Sequence, residues 1–84
     1  MFEIQFDNQP ERFLKKADSQ LQKRLINKIN SLAENPVPHD AKVIKERKDK
    51  TFRIRVGQYR ILYVVFYEDN SILISKIDKR EKVY

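Results

Sequence analysis

The 84-residue chain has no cysteine. Neither a disulfide framework nor a thiolate metal site can be built from it, and such a chain suits a reducing compartment. It has one glycine, Gly57, so a glycine-rich linker is excluded. The single histidine, His39, makes no metal site alone. No apolar run approaches the roughly 18 residues of a membrane span. The opening stretch, "MFEIQFDNQPERF", lacks the basic-then-apolar layout of a signal peptide. No internal repeat or low-complexity segment is present. These absences predict one soluble, cytoplasmic domain over residues 1–84, with a core that suffices only if its apolar residues are well patterned.

What the chain does have is positive charge. Eighteen Lys+Arg face 12 Asp+Glu, for a net charge of +6 and a pI near 9.7. That balance favours an anionic partner: nucleic acid, an acidic protein or a membrane surface. The plain alternative is a basic but otherwise ordinary soluble protein.

Periodicity divides the chain into six main elements, with a short additional strand in the connection. "MFEIQF" alternates, with Phe2, Ile4 and Phe6 on one side, and reads as a half-buried strand. "DNQP" opens a helix, with Asp7 or Asn8 as N-cap and Pro10 in the tolerant first turn. "DSQLQKRLINKINSLAENP" is the clearest helix. Ser19 and Gln22 have capping-box spacing, Leu21, Leu25, Ile29 and Leu32 form an apolar stripe, and Asn35-Pro36 ends it. Lys15, Lys16, Lys23, Arg24 and Lys28 fall on outer faces, as a solvated surface or as a track for phosphates. A connection follows, with a short strand at Lys42 to Lys45. Strands at Thr51–Val56, Tyr59–Tyr67 and Ser71–Asp78 complete the order β-α-α-β-β-β. This predicts an α+β two-layer sandwich, with both helices on one face of a small antiparallel sheet.

Three arginines crowd one turn of that sheet. Gly57-Gln58 reads as a two-residue II′ turn. Val56 then pairs with Tyr59, Arg55 with Arg60, Ile54 with Ile61 and Arg53 with Leu62. Alternation places Phe52, Ile54, Val56, Tyr59, Ile61, Tyr63 and Val65 on the helix side. Arg53, Arg55 and Arg60 take the other face, beside an apolar floor of Leu62, Val64 and Phe66. Like charges directly opposite are destabilising, so an anion should compensate. It is either an internal carboxylate, with Asp78 nearby and Glu68 farther along, or the phosphate of a ligand. The last strand has two registers. One brings Lys76 and Asp78 beside Arg60; the other brings Ser75, Ile77 and Lys79. In both, "DKREKVY" emerges near Arg60 and carries Lys79, Arg80 and Tyr84 towards the patch. Guanidinium groups hold phosphate in bidentate fashion, and a ring can stack on an unpaired base. The constellation suits single-stranded RNA better than duplex DNA. His39 and Glu46 are weaker acid–base candidates, and both read by default as surface loop residues.

At these residues the chain resembles the RelE/ParE toxin superfamily, the toxin half of toxin–antitoxin pairs. "FRIRVGQYRILYVV" and "KIDKREKVY" carry the resemblance, and the preceding strand and helical hairpin extend it over the whole chain. The RelE-like branch fits better than the ParE-like one. The resemblance implies a cytoplasmic endoribonuclease that cleaves mRNA in the ribosomal A site without metal or other cofactor. The RNA's own 2′-hydroxyl attacks the adjacent phosphate. Position by position, the family's catalytic set falls on Arg55, Arg60, Arg80 and Tyr84, and RNA contacts fall on Arg53, with Lys76 or Lys79 beside it. Arg60 and Arg80 would clamp the scissile phosphate, and Tyr84 would stack on or orient a nucleotide. Some relatives carry lysine at the positions of Arg53 and Arg55. An arginine effectively cannot lose its proton, so Arg55 is a poor general base. The implied partners are a cognate antitoxin, the ribosome and mRNA; no membrane is implied. The alternatives are a ParE-like poison of DNA gyrase and a catalytically degenerate member that only binds an antitoxin.

Overall fold

The computed structural model describes residues 1–45 and 50–79. The predicted elements are present: β1 (Glu3–Phe6), α1 (Asn8–Lys16), α2 (Ser19–Ser31), β2 (Lys42–Lys45), β3 (Lys50–Val56), β4 (Tyr59–Phe66) and β5 (Ser71–Lys79). A single 3-10 turn (Tyr67–Asp69) joins β4 to β5. The strands form one sheet in the order β1-β5-β4-β3-β2. The meander β2 to β5 is antiparallel, as expected. β1 lies parallel to β5, with Ile4 opposite Ile72 and Phe6 opposite Ile74. The sheet is therefore mixed, because β1 reaches the free edge of β5 instead of a sequence neighbour. Among the described residues, no helix is long and apolar enough to cross a membrane.

Both helices cover one face. Asp7 caps α1 by accepting from the Asn8 N–H at 2.8 Å. Pro10 sits within the first four residues, where its missing N–H leaves no intrahelical bond unmade. In α2 the cap is Asp18, whose Oδ1 accepts from the Leu21 N–H at 2.9 Å. This corrects the Ser19–Gln22 capping box. Ser19 is the first helical residue, and the Gln22 side chain donates instead to the Leu14 carbonyl at the end of α1, at 2.8 Å. Regular helix stops at Ser31, and a turn leads into Asn35-Pro36.

Leu14, Leu25, Ile29 and Leu32 pack on Phe52, Ile54, Ile61, Tyr63, Val65, Ile72, Ile74 and Ile77 to make the core. Phe2 and Ile4 join its rim. Phe6, expected with them, is exposed, because β1 is an edge strand that leaves the sheet there to start α1. Tyr63 is fully buried; its hydroxyl donates to the Pro36 carbonyl at 2.8 Å. Its ring stacks on Phe52, centroids 5.6 Å apart. Burial pushes its ionisation far above the ordinary tyrosine range.

Candidate functional site

The hairpin of β3 and β4 is built around Gly57, whose φ of +60° only glycine adopts without strain. Gln58 has no positive φ, which matches a II′ rather than a I′ turn. The register is the one alternation requires: Val56–Tyr59, Arg55–Arg60, Ile54–Ile61 and Arg53–Leu62. Ile54, Ile61 and Tyr63 are buried completely under the helices. Arg53, Arg55 and Arg60 therefore take the opposite face, where Leu62, Val64, Phe66 and Leu73 are half-buried.

Two rows of charge cross that face. Arg55, Arg60 and Asp78 stand side by side on β3, β4 and β5. Lys42, Arg53, Leu62 and Lys76 form the next row. The internal carboxylate is present: Asp78 Oδ1 and Oδ2 accept from Arg60 Nε and Nη2 at 3.1 and 3.2 Å. Both side chains are about a third exposed or less, at 32% and 27%. A bidentate pair in this setting contributes about 1 kcal/mol or less to stability. Lys76 Nζ lies 3.7 Å from Asp78 Oδ2 on the other side.

Of the two registers for β5, the one placing Lys76 and Asp78 near Arg60 is adopted beyond Leu62. Lys79 stands opposite Tyr59, in the register of the helix-covered face, and not beside Arg60. Arg80 and Tyr84 lie outside the described residues, as does Glu46. His39 is exposed in the turn before β2. Its neighbour Asp40 pairs with Lys28 of α2 at 2.9 Å, which holds that carboxyl below its ordinary range. His39 is thus sited in a loop tied to α2.

Lys42 was not singled out in the sequence. It joins the face because β2 pairs with β3 so that Lys42 meets Arg53. The only signal was the short β2 pattern itself, which does not reveal register. On the other side of the molecule, an open cleft of about 530 Å³ runs between α1, the start of α2 and β4. Phe13, Leu21 and Tyr59 form its apolar wall, and Arg12 and Lys16 its rim. Phe13 and Tyr59 meet edge to face, centroids 5.8 Å apart.

Chemically, the open sheet face sets several cations, Arg60 among them held by Asp78, beside an apolar floor. Such an arrangement is chemically suited to an anionic ligand.

The family model for the ParE toxin of the type II toxin–antitoxin system parDE matches residues 4–84. The toxin candidate RelE1 of Methanocaldococcus jannaschii is 41% identical over 58 residues, covering 67% of this chain; the match spans 64% of that relative's length. The fold is that of RelE in the archaeal RelE–RelB complex from Pyrococcus horikoshii: TM-score 0.88, 24% identity, 98% of each chain covered. It is also that of the isolated Escherichia coli RelE toxin: TM-score 0.81, 21% identity, 99% of this chain and 88% of the other covered. The resemblance to the RelE/ParE superfamily and the two-layer α+β fold it implied are borne out, and the chain belongs to the family of ParE and RelE toxins of type II toxin–antitoxin systems.

Proposed function

We propose that this chain is the toxin of a toxin–antitoxin pair and acts in the cytoplasm as a ribosome-dependent endoribonuclease on mRNA in the A site. The observation that carries this reading is the row Arg55–Arg60, with Arg53 and Lys76 beside it, on a sheet face turned away from both helices. Two facing arginines call for an anion, and Asp78 answers Arg60 within the fold. Even so, the two rows set five cations (Lys42, Arg53, Arg55, Arg60 and Lys76) beside that one carboxylate. That balance suits a phosphate-bearing ligand.

In the reaction, the 2′-hydroxyl oxygen attacks the adjacent phosphorus as its proton leaves. The P–O5′ bond breaks, and the departing oxygen takes up a proton. The products are a 2′,3′-cyclic phosphate and a free 5′-hydroxyl. Negative charge builds on the phosphorane oxygens during attack. Arg60 faces that charge with a preorganised guanidinium, and Arg55 adds to the field. Both remain protonated throughout, so their part is electrostatic. Arg53 and Lys76 hold neighbouring phosphates. Arg80 follows directly on Lys79, the last residue of β5, and is assigned to the scissile phosphate with Arg60. Tyr84 is assigned to the nucleotide base.

The test is primer extension on a defined mRNA with purified protein, with and without programmed ribosomes. Cuts in the A site that need ribosomes, and that vanish in Arg60→Ala, are the expected result. Intact mRNA with toxicity retained in cells overturns the reading. A second reading is a gyrase poison acting by protein binding, favoured by the ParE description of the matching family model. It predicts intact mRNA and stalled, cleaved DNA. Under both readings an antitoxin is the inhibitor. An acidic segment that covers the open face would neutralise its charge and shield Leu62, Val64 and Phe66.

A further inference from the structure

β5 carries one residue more than β4 needs. Leu62 pairs with Lys76 and Tyr63 with Ile74, which leaves Ser75 as a bulge. A bulge reverses the faces taken by all side chains beyond it. Ile72 and Ile74 point into the core. Uninterrupted alternation would send Lys76 and Asp78 there as well. The bulge instead buries Ile77 completely and turns Lys76 and Asp78 to the open face. Two contacts support this local geometry. Ser75 Oγ donates to the Leu62 carbonyl at 3.1 Å. The Gln9 side-chain amide grips Ile77 from α1, donating to its carbonyl at 2.8 Å and accepting from its N–H at 2.9 Å.

The residue so aimed is the carboxylate beside Arg60. Its two oxygens take Nε and Nη2 at 3.1 and 3.2 Å. Two parallel bonds set the plane of the guanidinium as well as its position. As a charge alone, Asp78 works against a phosphate site, because it weakens the attraction for a polyanion. As a clamp it works for one. An arginine ordered beforehand does not have to be ordered as the reaction proceeds.

We propose that Asp78, on the reading of the open face as an RNA-cleaving site, is a positioning residue that preorganises Arg60 for its contact with the scissile phosphate. The β5 bulge and the Gln9 grip on Ile77 aim it.

Charge and positioning have opposite signs, so one experiment separates them. Single-turnover cleavage of a defined mRNA on programmed ribosomes is followed over a range of protein concentrations for wild type, Asp78→Ala, Asp78→Asn and Arg60→Ala. In Asp78→Ala the maximal rate should fall about tenfold or more. The half-saturating concentration should stay level or drop, since a negative charge has been removed. Asp78→Asn keeps one acceptor oxygen for the guanidinium and should recover part of the rate. It carries the same comparison if Asp78→Ala does not fold, as thermal melting will report. Nitrogen-15 spectra give a readout free of turnover. The Arg60 Nε–H signal should be distinct and protected in wild type and averaged in Asp78→Ala. Maximal rates at or above wild type in both Asp78 variants, with Arg60→Ala inactive, would overturn the positioning role and leave the site reading intact. Wild type without ribosome-dependent cuts, or Arg60→Ala as active as wild type, would overturn the site reading and this role with it.

Discussion

Arg55 and Arg60 stand directly opposite each other across the β3–β4 hairpin, on the sheet face turned away from both helices. Their juxtaposition separates function from stability. Arg55→Gln should change unfolding free energy by no more than about 0.5 kcal/mol, as surface substitutions generally do. It should nonetheless lower cleavage on programmed ribosomes several-fold. Arg60→Lys should not restore the activity lost in Arg60→Ala, because an ammonium cannot make the bidentate contact. Urea melts and primer extension on the same preparations check both statements.

The hairpin turn admits one residue type at its first central position. Gly57 has φ +60°, and a Cβ there would lie 2.6 Å from Arg24 Nη2. Arg24 is a flexible side chain and can move. The backbone conformation cannot be relieved in that way. Gly57→Ala should therefore cost about 1–2 kcal/mol, the usual penalty of the left-handed region. A double variant with Arg24→Ala should recover little of it. Full recovery in chemical denaturation would mean that the clash, and not φ, sets the cost.

Tyr63 anchors the loop after α2 to the centre of the sheet through the Pro36 carbonyl. Tyr63→Phe should lose about 1 kcal/mol of stability, the net worth of one hydrogen bond plus an unmet carbonyl. The hydroxyl also carries a pH dependence. Burial raises its folded pKa above the unfolded 10.0, so the unfolded chain releases this proton first. Its contribution is thus complete below about pH 10 and is lost as pH rises further. Ultraviolet titration should show one of the four tyrosines ionising only as the protein unfolds. In Tyr63→Phe the alkaline transition should move upward relative to its neutral stability.

The start of α2 offers a comparison between neighbours. Asp18 Oδ1 accepts from the Leu21 N–H, whereas Ser19 is already helical. Asp18→Ala should cost about 1 kcal/mol. Ser19→Ala should lie within about 0.5 kcal/mol of wild type. Equal losses in thermal melts would restore Ser19 as the cap.

Sequence and structure divide the work along a physical line. A two-residue turn at Gly57 leaves one register for the hairpin, and strict alternation then decides which face each residue takes. The pairing of Arg55 with Arg60 and the burial of Ile54, Ile61 and Tyr63 follow from local chemistry alone. So does the stripe of Leu25 and Ile29 on α2 with Leu32 at its C-cap. Other features depend on contacts between distant segments. β1 runs parallel to β5 because a free edge was available there, and nothing in "EIQF" states its partner. Lys42 meets Arg53 only through the pairing of β2. The capping-box spacing of Ser19 and Gln22 was overridden because Gln22 found the Leu14 carbonyl across the helix junction. Above all, the tertiary structure decided where Asp78 points. The stretch "SILISKID" alternates in two ways, and the chain uses both. The core needed Ile72, Ile74 and Ile77 together, and only a bulge at Ser75 can bury all three. That packing demand, made by α1 and β4, is what delivers a carboxylate to Arg60.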